Sequence, residues 1–199
     1  MQAFGLGITA TLHLKNVKSN FNSEAGIELN LSGDSQVTLN NVEASYTTNA
    51  WSYGIAIAFL PEQSNQPKVT FKGVNNFNEN RNYGIYIVSD TYLSSVQVSK
   101  GAVLNANKNY NVGLFLDTGV GTVSAPYPPT FTIEKGGAVN ACACGNGQID
   151  PSADDIMSLN DGGGLPFTLV DESKSNSLTC DSIEGEGWPD CKPCPDCDA

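Results

Sequence analysis

The feature that most restricts this chain is a repeat of close to thirty residues. One motif, a glycine followed by alternating apolar residues, recurs as Gly26-Ile-Glu-Leu-Asn-Leu, Gly54-Ile-Ala-Ile-Ala-Phe, Gly84-Ile-Tyr-Ile-Val-Ser and Gly113-Leu-Phe-Leu-Asp-Thr. Its glycines stand 28, 30 and 29 positions apart. A second motif keeps the same phase: Leu12-His-Leu-Lys-Asn-Val, Val37-Thr-Leu-Asn-Asn-Val, Val69-Thr-Phe-Lys-Gly-Val, Val96-Gln-Val-Ser-Lys-Gly and Phe131-Thr-Ile-Glu-Lys-Gly. Between the two lies an apolar residue in an asparagine-rich bend, as at Phe21-Asn22, Phe77-Asn78 and Leu104-Asn105. One such repeat cannot bury its own apolar face, so like must stack on like.

Within both motifs apolar and polar residues alternate, the period of a strand with one face buried. Each run is short and ends at Gly or Asn, residues that accept left-handed backbone at tight corners. Three short strands and three bends per repeat predict one coil of a solenoid. The chain is expected to be all-β: a right-handed parallel β-helix of four to five coils over residues 1–150, then an acidic, cysteine-rich cap or tail over residues 151–199. At the spacing of stacked strands the rod would be roughly 20–25 Å long. An antiparallel sandwich would supply similar strands but no fixed period of near-identical motifs.

The stretch from Val69 to Ile87, Val-Thr-Phe-Lys-Gly-Val-Asn-Asn-Phe-Asn-Glu-Asn-Arg-Asn-Tyr-Gly-Ile-Tyr-Ile, resembles a parallel β-helix repeat of the pectin-lyase-like superfamily. The resemblance covers about residues 8–150 and implies the fold. For activity it implies only a range, because that superfamily includes lyases, hydrolases, epimerases, adhesins and passive stalks.

Composition enters through charge and cysteine. Up to residue 141 there are nine acidic against eight basic side chains; beyond it there are twelve against two. Clustered Lys and Arg, the requirement for phosphate binding, are missing, so nucleic acid is a poor partner. The acidic tail suits solvation, divalent cations or a basic partner. All six cysteines, Cys142, Cys144, Cys180, Cys191, Cys194 and Cys197, fall beyond residue 141 as well. An even number in a loop-rich segment predicts three disulfides in an oxidising, extracellular compartment. Zinc is the rival for Cys191, Cys194 and Cys197, whose spacing is metal-like, but the intervening prolines and acids do not suit a ribbon knuckle. No apolar run reaches the length of a membrane span. The first ten residues lack the basic start and apolar length of a signal peptide. A removed leader, upstream coils or a partner chain docked at the N-terminal edge is therefore expected.

The resemblance implies that lyases of the superfamily use a basic residue, often with calcium, and that the hydrolases use close aspartates with His and Arg nearby. His13 and Arg81 are the single His and Arg of the chain. Neither accompanies such an acid pair, so His13 reads as an outward surface residue and Arg81 as a corner residue. Asp90 and Asp117 end the same strand of consecutive repeats; they are the candidate catalytic pair for a polysaccharide lyase or glycoside hydrolase, or a calcium site. The plainer reading makes both turn residues.

A ligand surface is better supported. The third position of the glycine motif points outward, and along the stack it reads Glu28, Ala56, Tyr86 and Phe115. Tyr53 and Tyr83 adjoin it, with Trp51 and Tyr110 in neighbouring bends. Aromatic faces beside amides and carboxylates are the material of sugar-binding surfaces, although the C-terminal segment would cover the same strip if it folded back. The segment opening Cys144-Gly-Asn-Gly resembles the start of a cysteine-rich extracellular repeat. There Asp150, Asp154 and Asp155, with Asp161, are candidate calcium ligands, though they fail the EF-hand spacing. Asn30-Leu31-Ser32 is a glycosylation sequon. These readings favour a non-catalytic extracellular module for adhesion, carbohydrate binding or matrix structure, with no obligatory cofactor.

Overall fold

A computed structural model describes residues 10–60, 66–90, 93–118, 128–142, 155–159, 165–173, 177–184 and 188–194, and the backbone of 2–6. Among the described residues every regular element is a strand, and the strands pair in parallel throughout. They form three sheets. The first runs Gln2–Leu6, Ile27–Leu31, Tyr53–Phe59, Tyr83–Ser89, Val112–Thr118, Ile156–Leu159 and Ile183–Glu184. The second runs Thr11–Lys15, Gln36–Asn40, Lys68–Lys72, Ser95–Val98, Thr130–Ile133 and Thr168–Asp171. The third runs Val74–Asn76, Val103–Asn105, Ala138–Asn140 and Leu178–Thr179. From residue 53 onward the chain visits the three sheets in that order again and again, so neighbours within a sheet are one repeat apart. Earlier, isolated bridges from Lys18 to Glu43 and Glu43 to Asn76 stand where the third sheet would continue.

Register makes the interior. In the first sheet Ile27, Ile55, Ile85, Leu114 and Ile156 align, and none of the five exposes any surface. In the second, Val37, Val69, Val96 and Phe131 align and are buried. Each such side chain contributes about 1.5–3 kcal/mol by leaving water.

The motif glycines have a steric reason. A Cβ on Gly54 would lie 2.6 Å from the Gly84 carbonyl oxygen, and one on Gly84 would lie 2.8 Å from that of Gly113. The neighbouring strands and the facing bend approach too closely for any side chain. At the corner leaving the second sheet, Asn16, Asn41 and Gly73 stack with φ of 56°, 56° and 62°, the left-handed region that Asn and Gly tolerate. The next two repeats place a turn there instead, closed by Ala102 donating to Ser99 and Gly137 donating to Glu134. That explains why the motif changes to Ser-Lys-Gly and Glu-Lys-Gly.

The bends correct one expectation. Phe77 and Leu104 are buried, but Phe21 is 74% exposed. Phe21 belongs with Tyr46, Glu79 and Lys108, which share its positive φ, and not with Phe77. Asparagines join successive repeats through their side chains. Asn140 Nδ2 donates to Asn105 Oδ1 and Asn105 Nδ2 to Asn76 Oδ1, each at 2.8 Å, and Asn111 donates to Asn82 at 3.1 Å.

The C-terminal residues continue these sheets and then close their end. Trp188 donates to the Phe167 carbonyl at 3.3 Å and packs 6.0 Å from the Phe131 ring. Lys192 bridges to Thr179 at the edge of the third sheet. Disulfides join Cys142 to Cys194 and Cys180 to Cys191; Cys144 and Cys197 lie outside the described residues.

Candidate saccharide-binding cleft

The outer face of the first sheet presents two rows one residue apart in phase from the core rows. One row aligns Glu28, Ala56, Tyr86, Phe115 and Met157; the other aligns Asn30, Ala58, Val88, Asp117 and Leu159. Both rows step down to alanine on the strand Tyr53–Phe59. Short side chains between longer ones leave a hollow, and a cleft of about 460 Å³ lies there. Ala56 and Ala58 form its floor, Glu28 and Asn30 one side, Tyr86 and Val88 the other, with Tyr53 and Trp51 at the end nearest the bend.

The aromatic wall is one connected cluster. Tyr53 stacks on Tyr83 at 5.6 Å and tilts against Tyr86 at 4.9 Å. Tyr86 stacks on Phe115 at 5.4 Å, and Phe115 also meets Tyr83 at 5.1 Å. Pairs of this kind add about 0.5–1.5 kcal/mol beyond burial, so the wall is stiff before any ligand arrives. Its members differ in access: Tyr53, Tyr83 and Tyr86 are half-buried, whereas Phe115 is 9% exposed. Tyr53 and Tyr86 line the cleft, and Tyr83 and Phe115 do not. Burial raises the Tyr53 hydroxyl above its ordinary pKa, keeping it protonated as a donor. Trp51, 74% exposed, stands at the rim. Asn30 donates to Glu28 Oε1 at 3.1 Å. A glycan on the Asn30 sequon would stand in this cleft.

The other candidates lie elsewhere. Register pairs Asp117 with Val88, so Asp90 lies two residues further on, just past the end of the neighbouring strand, its amide donating to the Phe59 carbonyl. Neither aspartate lines the cleft. His13 is exposed on the second sheet. Arg81 lies 4.4 Å over the Tyr110 ring, a cation–π contact at the corner. Asp150, Asp154 and Asp161 lie outside the described residues. Asp155 is buried, and its carboxylate accepts from the Asp181 amide at 2.6 Å. Asp181 in turn accepts from the Cys194 amide at 2.8 Å. The Cys194 sulfur near this pair is spent in the bond to Cys142; the arrangement fastens the tail.

A second aromatic surface escaped the sequence. Phe21 and Tyr46 stack at 5.1 Å on the outside of the corner. Their column continues as Glu79 and Lys108, so no repeated residue type marks it. Among the described residues no helix is long and apolar enough to cross a membrane. Comparison of the chain with protein-family models, with curated proteins and with solved structures finds no match.

Proposed function

We propose that the chain is a right-handed parallel β-helix of the pectin-lyase-like kind that works outside the cell as a non-catalytic saccharide-binding module, in adhesion or matrix structure. Support for the fold comes from the fixed order in which the chain revisits three parallel sheets. Two disulfides accord with an oxidising compartment. The function rests on one observation: a cleft floored by alanines and walled by pre-packed tyrosines, with a carboxylate and an amide opposite. A pyranose ring has an apolar C–H face and hydroxyl edges. Tyr86 and Tyr53 suit the face, while Glu28 and Asn30 suit the edges.

The test is a glycan array with and without calcium, followed by an assay for released products on the polymers that bind. Binding without product formation supports the module. Turnover that disappears in the Asp90→Asn, Asp117→Asn double variant while binding survives would establish an enzyme instead.

A further inference from the structure

We infer that the cleft selects amino sugars in their ammonium form and rejects uronates; this rests on the saccharide-binding reading above. Two carboxylates, Glu24 and Glu28, line the cleft, and no Lys, Arg or His does so among the described residues. A uronate would bring a third carboxylate into that space with no counter-charge. An ammonium group would instead meet carboxylates at its edge and ring faces beneath it, and both attract cations. The repeats up to residue 141, which build the cleft, carry nine acidic against eight basic side chains, so the local charge at the cleft is that of Glu24 and Glu28 themselves.

Ring geometry decides between a sugar and a bare cation. An aromatic cage for a quaternary ammonium holds its rings apart so that the cation fits between them. Tyr53 and Tyr86 are in contact, with centroids 4.9 Å apart and planes tilted by 35°, which leaves a platform and no slot. A platform takes the flat face of a ring, and the exposed Trp51 at the rim extends it to a neighbouring unit of a chain.

The experiment follows Trp51 fluorescence and calorimetric heat on titrating the protein, its Asn30 verified free of glycan by mass, with four probes. These are glucosamine tetramer, N-acetylglucosamine tetramer, galacturonate tetramer and tetralysine. Glucosamine tetramer should bind about tenfold more tightly than its acetylated counterpart, the order of one charge-assisted hydrogen bond, and galacturonate least. Glu28→Gln should erase most of that preference, and added salt should weaken it. Ala56→Trp, which fills the cleft from an outward position, should abolish saccharide binding with the melting temperature unchanged. The inference is overturned if galacturonate or the acetylated tetramer binds as tightly as glucosamine tetramer. It is equally overturned if tetralysine binds more tightly, or if Glu28→Gln leaves the preference intact. Should no saccharide bind at all, the saccharide-binding reading falls, and the selectivity falls with it.

Discussion

The two faces of the first sheet obey different rules although they alternate along the same strands. Inward, Ile27, Ile55, Ile85, Leu114 and Ile156 repeat one chemical type, and each is fully buried. Outward, a step of one residue along those strands gives Glu28, Ala56, Tyr86, Phe115 and Met157, five side chains with little in common. Close packing admits few solutions and repeats them wherever the backbone repeats. The outer face is free to vary, and its variation makes the cleft. A repeated interior therefore reports on stability, and a departure from repetition outside marks the candidate site.

That contrast is open to attack by mutation. Ile85→Asp should cost the most, about 5 kcal/mol or outright loss of folding, because it buries a charge with no partner; urea unfolding monitored by circular dichroism reads it. A well-folded Ile85→Asp protein would remove the distinction between the faces. Gly84→Ala should cost about 3 kcal/mol, since its Cβ meets the Phe77 and Gly113 carbonyl oxygens at 2.8 Å. Phe115→Ala should cost about 2–3 kcal/mol despite its outward position, because it is nearly covered by Tyr83 and Tyr86. Tyr86→Ala should cost about 1 kcal/mol yet strongly weaken saccharide binding, which separates the two kinds of outward residue in one pair of measurements.

The smallest effect belongs to the pair formed by the exposed Lys18 and the half-buried Glu43, 2.8 Å apart. The hydrogen bond from Lys18 lowers the Glu43 pKa, and the same bond raises that of Lys18. A lowered carboxylate pKa gives stability that is present above the unfolded value and lost as pH falls through the folded one. Lys18 contributes in the opposite sense, its share being lost as pH rises through its folded value. With both groups near solvent the gain is slight. Glu43→Gln should leave the neutral-pH melting temperature almost unchanged and slightly flatten both the acid limb, where Glu43 protonates, and the alkaline limb, where Lys18 loses its proton, of a stability–pH curve. A large change at neutral pH would make this corner a structural joint.

The core rows were legible because their cause is local and recurrent. Alternation revealed the strands, and the interval between glycines revealed that Gly26, Gly54, Gly84 and Gly113 stack. The outward row containing Tyr86 followed from the same phase. Other features depend on what lies one repeat away. Phe21 looks like Phe77 in its asparagine-rich bend, yet a shift of two positions puts it in solvent with Tyr46. The coverage of Phe115 is a matter of three ring orientations, and the hollow over Ala56 and Ala58 exists only because both outward rows step down on one strand. Asp155 stood among the candidate calcium ligands of a polar run, but its carboxylate accepts from the Asp181 amide of the returning tail and is buried.

The ladder of Asn76, Asn105 and Asn140 has a direction: Asn140 donates to Asn105, and Asn105 donates in turn to Asn76, its N-terminal neighbour. A row of identical amides with one polarity would respond unevenly to chemical damage. Spontaneous deamidation of Asn105 would turn its donor into an oxygen facing the Asn76 oxygen, breaking the row on one side while the other persists. Damage would thus enter asymmetrically, loosening the joint toward the N-terminus first. A long-lived protein of this build would wear from its middle outward in one direction.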